Sequence, residues 1–511
     1  MFKLSRKLTQ GAFLLLFLFL LIQTESRGGD ELAYPVRLFL DADPLIFISA
    51  LISARGWEWA FLKGFLLSLP VIAITALMGR VFCGWACPLG TINDLAGIGA
   101  RARRTAVPKH LRKLKYLLLI FLLAASVLTV QLTGIFDPLS FLARSLSLWL
   151  LPVLDNGIRT AFTAISDIDS PQISAAAEAV YAFFKLHILS FHPPSFGQGF
   201  LFGSLFLLLL GLNRIEKRFW CRYLCPLGAL LGVFSLISPF RRTTGADCTS
   251  CARCERFCRA GAAVNGKIHG KIQWNGSECV RCMECSDSCP KDAVRFKFAG
   301  KPLQPGPDLG RRNVAASFLA ALAGAPLIRL MKPAQSGAAG FIRPPGAGEE
   351  KEFLRRCIRC GVCMKACITN GLQPLLLEGG LEGLWTPKLV PRTGFCEYGC
   401  TLCGQVCPTH AVPKLDAEVK KKTRIGYAEI DRSRCLPYAD STPCIVCEEV
   451  CPTPRKSIRL DLFRTRDRRG RDTVVKRPRV DLEQCIGCGA CEKHCPVEGP
   501  AAIKVKPLTG C

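Results

Sequence analysis

The sequence predicts a multi-domain chain: an α-helical membrane bundle of about four spans with a fifth, later apolar run, joined to two small α+β modules organised around cysteine. Three observations carry this reading. Apolar runs alternate with basic segments in the first half, 29 cysteines recur largely in regular quartets further on, and the stretch GRRNVAASFLAALAGAPL (310–327) sets a twin arginine before an apolar run in mid-chain.

Length and charge set the outer bounds. At 511 residues, half of them apolar, the chain has room for two to four domains. A formal charge of +27 raises the possibility of nucleic acid as a partner, because basic chains gain affinity by releasing phosphate counterions. That partner is not expected here. The excess sits beside apolar runs, at Arg101, Arg103, Arg104, Lys109, Arg112, Lys113 and Lys115 and again at Arg214, Lys217, Arg218 and Arg222, as cytoplasmic loops of membrane proteins do. Metal-bound thiolates would lower the charge further.

The spans follow in order. Residues 11–22 are apolar behind Lys3, Arg6 and Lys7, and with no A-x-A site after them they read as an uncleaved anchor rather than a cleaved signal. Further spans are expected over 57–79, 115–134 and 198–213. With basic loops inside, the N-terminus is cytoplasmic and residues 23–56 and 135–197 face outward. Two C-x3-C-P pairs, Cys83 with Cys87 and Cys221 with Cys225, then lie at the cytoplasmic ends of spans.

Spacing decides what the remaining cysteines do. Cys248, Cys251, Cys254 and Cys258 form a C-x2-C-x2-C-x3-C run, as do Cys279, Cys282, Cys285 and Cys289; Cys357, Cys360, Cys363 and Cys367; and Cys485, Cys488, Cys491 and Cys495. This is the bacterial ferredoxin pattern for [4Fe-4S] clusters. Two variants complete the set: Cys396, Cys400, Cys403 and Cys407 with three residues in the first gap, and Cys435, Cys444, Cys447 and Cys451 with eight. Zinc sites use ligands in two pairs, whereas a third cysteine two residues on suits corners of a cube. About six [4Fe-4S] clusters, held by these 24 cysteines, are therefore expected. Only Cys511 falls outside the quartets and the C-x3-C-P pairs.

These features divide the chain into a transmembrane domain (1–239), a cytoplasmic two-cluster ferredoxin domain (240–300), a linker with the twin-arginine apolar span (301–345) and a four-cluster ferredoxin domain (346–511). Within 240–300 the expected pairing is crossed, Cys289 joining the first three cysteines of the first quartet and Cys258 the first three of the second. The pairing of the last four quartets stays open: first with fourth and second with third, or neighbour with neighbour. Val314–Ile328 is short and alanine-rich for a span, which suits an export signal acting on a folded, cluster-bearing passenger. It is read as a fifth span that delivers 332–511 outward.

Motifs in both halves carry a family likeness. Residues 1 to about 300, with CGWACPLG, CRYLCPLGALLG and two ferredoxin quartets, resemble the NapH type of membrane quinol dehydrogenase subunit, in a wider group with NosR-like and CcoG-like proteins. Residues 311–511, with the twin arginine, IRPPGA, CIRCGVC, CEYGCTLCGQVCPT and RCLPYADSTPCIVCEEVCPTPRKSI, resemble the NapG and MauM type of periplasmic ferredoxin. The resemblance implies a fusion of two subunits in the bacterial inner membrane, taking electrons from the quinone pool to a periplasmic cytochrome or a reductase such as a nitrate reductase system. Arg259 and Ile368 depart from the usual proline after the last cysteine of a quartet.

Candidates for other chemistry are few. There is no nucleotide-binding glycine loop, no C-x-x-C-H and no histidine within an expected span, which argues against intramembrane b haem. The thiols of Cys83, Cys87, Cys221 and Cys225 are redox candidates that could bind metal, switch as dithiols or link quinol to the clusters. Glu58 is a candidate proton acceptor at the outer interface, although a solvated carboxylate in an aromatic belt is the blander reading. His187 and His192 read as surface residues, and the basic stretch 452–480 as either a docking face for an acidic partner or a solvated face. A second function class remains: a redox assembly or maintenance factor for another metalloenzyme.

Overall fold

The computed structural model describes residues 2–26, 29–54, 64, 66–98, 109–167, 171–268, 271–299, 306–307, 309–331, 340–466 and 472–508. Glu58, Arg101, Arg103, Arg104, Cys511, the start of the span expected over 57–79 and parts of the 301–345 linker and of the 452–480 stretch lie outside the described residues.

Two compact units interleave along the chain. One comprises 1–22, 36–145 and 200–328; the other comprises 23–35, 146–199 and 329–511. The first is built on helices. Among the described residues two helices are long and apolar enough to cross a membrane, Lys3–Gln23 and Arg311–Leu330. The N-terminal helix starts at Phe2, so Lys3, Arg6 and Lys7 are helical rather than flanking, and Arg6 is buried on Asp94 and Glu284. The other apolar helices are shorter than the expected spans. Ser68–Met78 stops at Gly79, whose φ of 79° breaks the helix, and Leu114–Val127 stops before Thr129, also left-handed at φ 63°. Gly199–Gly211 passes into a 3-10 turn at Leu212–Arg214. These lengths of 11 to 14 residues fall short of the roughly 20 needed to cross a bilayer unaided.

Both C-x3-C-P pairs are built alike. Cys87 and Cys225 are extended residues that cap the helices Pro88–Ala96 and Pro226–Phe234, with proline in the first helical turn, where its missing N–H costs nothing. A π-turn over Phe82–Ala86 precedes the first.

The cysteine-rich segments repeat one topology. In the first unit, strand Phe240–Thr244 precedes the quartet at 248–258, a hairpin of Ala263–Ile268 and Lys271–Trp274 follows, and the quartet at 279–289 leads into Val294–Phe298, which pairs antiparallel with the opening strand. In the second unit, Gly426–Ile430 pairs with Ile503–Pro507 around the quartets at 435–451 and 485–495, separated by the long hairpin Ile458–Arg466 with Asp472–Val480. Between 357 and 407 the same order recurs with a short hairpin, Leu372–Pro374 with Pro387–Leu389. The second unit also contains helices Leu151–Ser166 and Pro171–His187.

The segments 23–35 and 146–199 are bonded into that second unit. Gln405 donates to the Asp30 carbonyl at 2.5 Å and accepts from Leu32 N, Lys365 pairs with Glu25, and Asn370 and Gln373 donate to the Ser195 carbonyl at 2.6 and 3.0 Å.

Candidate metal centres

Four quartets share one loop geometry. The residues on either side of the second cysteine are left-handed: Ser250 and Ala252, Arg281 and Met283, Arg359 and Gly361, Gly487 and Gly489, with φ from 52° to 88°. Each then opens a helical turn, as at Val362–Lys365 and Ala490–His494. Only glycine adopts this conformation freely, so the five side chains held there mark local strain that the surroundings sustain. The two variant quartets escape it. Thr401 and Ile445, at the matching helix start, have φ of −119° and −126°, because the longer first gap relaxes the loop.

Thiols from neighbouring quartets surround common cavities. Cys367 of one quartet lines a cavity with Cys396, Cys400 and Cys403 of the next, among Pro344, Leu372 and Ile425. Cys407 in turn packs on Cys357 and lies in electrostatic range of Cys363. Cys435, Cys444 and Cys447 share a cavity with Cys495, while Cys485, Cys488 and Cys491 share one with Cys451. The two pairs of centres touch through the backbone, where Cys396 N donates to the Cys488 carbonyl at 2.7 Å. In the first unit Cys258 is in electrostatic range of Cys279, Cys282 and Cys285, and Cys248, Cys251 and Cys254 group together with Cys251 exposed. Cys289 is half-buried at the end of its quartet.

The donor set, all sulfur and in quartets, fits [4Fe-4S] clusters. Among the described residues no three His, Cys, Asp or Glu side chains are gathered tightly enough for one ion. A tetrahedral zinc would draw its sulfurs to about 3.8 Å of one another. The last cysteine of several quartets also accepts a backbone hydrogen bond at sulfur, from Ala262 N to Cys258 (3.2 Å), Val412 N to Cys407 (3.4 Å) and Ala502 N to Cys495 (3.4 Å). Hydroxyls two residues on, from Thr369, Thr409 and Thr453, lie 3.7, 3.9 and 3.2 Å from the sulfurs of Cys367, Cys407 and Cys451. Burial pushes the thiols of Cys357, Cys396 and Cys400 up to about 11, so free thiols there would stay protonated, and metal ligation is what would hold them as thiolates. At Cys451 burial acts in the same direction, but hydrogen bonds from Thr453 and Ser457 outweigh it and lower the thiol.

Cys83, Cys87, Cys221 and Cys225 meet in a further cavity that sequence spacing did not reveal. His187 stacks on Phe183 and His192 meets Phe191 edge-on, both at exposed positions. The described part of the 452–480 stretch forms mainly the long hairpin, where Arg459 pairs with Asp481, Arg479 with Asp461 and Arg466 with Asp472.

Comparison with known proteins accords with this chemistry. Residues 62–105 and 196–244 match a 4Fe-4S binding domain and residues 427–496 a 4Fe-4S dicluster domain. The methylamine utilization ferredoxin-type protein MauM of Methylorubrum extorquens is 38% identical over 212 residues, 40% of this chain and 91% of MauM. The ferredoxin-type protein NapG of Escherichia coli is 39% identical over 172 residues, 33% of this chain and 71% of NapG. YccM of Escherichia coli, a protein named for electron transport, is 30% identical over 233 residues, 44% of this chain and 53% of YccM. No solved structure matches. The molecule is an iron–sulfur electron-transfer protein, and across 40% of its length it belongs to the family of ferredoxin-type proteins that includes MauM and NapG.

Proposed function

We propose that the chain carries electrons from membrane quinol to a periplasmic acceptor, a cytochrome or a reductase such as a nitrate reductase system. In this reading the 24 quartet cysteines are [4Fe-4S] ligands, with crossed pairing between neighbours throughout. Cys248, Cys251 and Cys254 act with Cys289, and Cys279, Cys282 and Cys285 with Cys258. The same rule joins Cys357, Cys360 and Cys363 to Cys407; Cys396, Cys400 and Cys403 to Cys367; Cys435, Cys444 and Cys447 to Cys495; and Cys485, Cys488 and Cys491 to Cys451. A bound cluster supplies one-electron transfer, so a donor such as quinol, which releases two electrons and two protons, gives them up singly.

One observation carries the sidedness. The charge pattern puts 23–56 and 135–197 outside, and of these 23–35 and 146–197 belong to the same compact unit as 329–511, while 36–56 and 135–145 belong to the other. The hydrogen bonds of 23–35 and 146–197 to Gln405, Asn370 and Gln373 support an outer location for the last four quartets and an inner-membrane anchor for the whole. The contact of Cys396 with Cys488 supports serial transfer, since it gives two centres a short bonded bridge.

The test is direct. Anaerobic protein in detergent, mixed with a soluble ubiquinol or menaquinol analogue, should lose its iron–sulfur visible absorbance to a large part of the extent reached with dithionite. Bleaching by dithionite alone would remove quinol as donor. It would favour the second function class, a maintenance factor for another metalloenzyme.

A further inference from the structure

We infer that Cys83, Cys87, Cys221 and Cys225 together hold one further iron–sulfur cluster, shared between the two C-x3-C-P segments. Each segment that matches a 4Fe-4S binding domain brings only two of these thiols, half of what a cubane requires. The fold supplies the other half. All four thiols line a single cavity, as the quartet thiols do in theirs.

Three features besides the thiols favour an anionic cluster. Cys87 and Cys225 both cap nine-residue helices, so two helix N-termini, with their exposed N–H groups and positive dipole ends, open at the site. Gly228 N donates to the Cys225 sulfur at 3.2 Å, the same bond that Cys258, Cys407 and Cys495 receive. The walls are also unbalanced in charge. Arg80, Arg218 and Arg222 line the cavity against Glu278 alone. Arg80, 2% exposed, places Nη2 4.0 Å from the Cys83 sulfur while its Nε has no hydrogen-bond partner.

The wider network shows the same surplus. Arg6, Arg80, Lys115, Arg218, Arg222 and Arg259 are tied to Asp94, Glu216, Glu278 and Glu284. Uncompensated buried charge is costly, and this surplus of cations suits anionic clusters in and beside the cavity.

The position gives the site a role. A Cβ added at Gly84 would fall 2.2 Å from the carbonyl of Val280, the residue after Cys279. Trp85 Nε1 donates to the Arg281 carbonyl at 2.9 Å and Arg222 to the Cys258 carbonyl at 3.0 Å. Both C-x3-C-P segments therefore abut the group of Cys258, Cys279, Cys282 and Cys285, and a cluster between them would be the first stop for electrons leaving the helices. The inference about ligation does not depend on quinol being the donor.

Iron, acid-labile sulfide, zinc and copper counted per chain on anaerobically purified full-length protein test it. The unsubstituted chain should hold about 28 iron atoms, and Cys83→Ala and Cys221→Ala should each lose about four iron and four sulfide together with one reduced-cluster electron paramagnetic resonance signal. Arg80→Gln should keep the full count while the potential of that one signal falls. About 24 iron atoms in the unsubstituted chain, unchanged in both alanine variants, would overturn the inference, as would loss of zinc or copper in place of iron. Should the alanine variants fail to fold, the count on the unsubstituted chain and the Arg80→Gln titration still decide.

Discussion

The modules at 240–298 and 426–507 have one topology, strand, quartet, hairpin, quartet, strand, yet their thiols sit in opposite surroundings. Around the first, ions dominate, most of them buried: Arg6 and the half-buried Arg259 reach Glu284, and Lys115, Arg80 and Tyr116 converge on Glu278, the residue before Cys279. Around the second, the cavity walls are Ile430, Pro437, Pro478, Val497 and Ile503, with the hydroxyl of Thr453 near the Cys451 sulfur. A local cysteine pattern therefore sets the scaffold of a centre, while its charge environment comes from distant sequence. The first module is wired into the helices, and the second is tuned by its own residues.

The largest effect should come from breaking the proposed crossed pairing. Cys495→Ala should remove the cluster of Cys435, Cys444 and Cys447, not that of the other cysteines in its own quartet, with about four iron atoms lost per chain. Electron paramagnetic resonance of the reduced protein would show which signal disappears. Next in size is Asp94→Asn. Asp94 accepts two hydrogen bonds of 2.7 Å from Arg218 and also pairs with Arg6 and Arg259, so its loss should destabilise the first unit by about 3–5 kcal/mol. Thermal unfolding in detergent measures this, and the same loss of charge near Cys435 should be without effect because no such network exists among its cavity residues.

How much of this was legible in sequence follows from range. Spacing within a quartet is local, so all six quartets could be read directly, and Gly361, Gly487 and Gly489 even announce the left-handed turns. Ser250, Ala252, Arg281, Met283 and Arg359 adopt the same turns without any such signal, because the surrounding fold sustains a conformation their own preference disfavours. The pairing among the last four quartets could not be derived from spacing, because it rests on contacts between segments far apart in sequence. The meeting of the C-x3-C-P pairs is a tertiary event between remote helices. Helix lengths were misjudged from hydropathy, since an apolar run does not reveal the left-handed stops at Gly79 and Thr129. Arg6 looked like a flanking charge because its partners, Asp94 and Glu284, are far away in sequence.

Smaller tests sharpen the contrast. Gly84→Ala would force its Cβ to 2.2 Å from the Val280 carbonyl, and Gly404→Ala would do the same against the Pro413 carbonyl. Each should cost about 1–3 kcal/mol by thermal unfolding, the first loosening the contact between C-x3-C-P segment and first module, the second only its own quartet. The mildest is Thr453→Val. A hydrogen bond to sulfur favours the reduced, more negative state, so removing it should lower one potential by tens of millivolts, on the order of 1 kcal/mol, in a redox titration that leaves the first module unchanged.

The central claim is that the two modules work on opposite sides of a membrane, and sidedness tests it most directly. Intact spheroplasts treated with a membrane-impermeant maleimide, with Cys511→Ser as control, should show labelling that depends on Cys511. Labelling that appears only after lysis would leave every centre on the cytoplasmic side and contradict the transfer of electrons to a periplasmic acceptor.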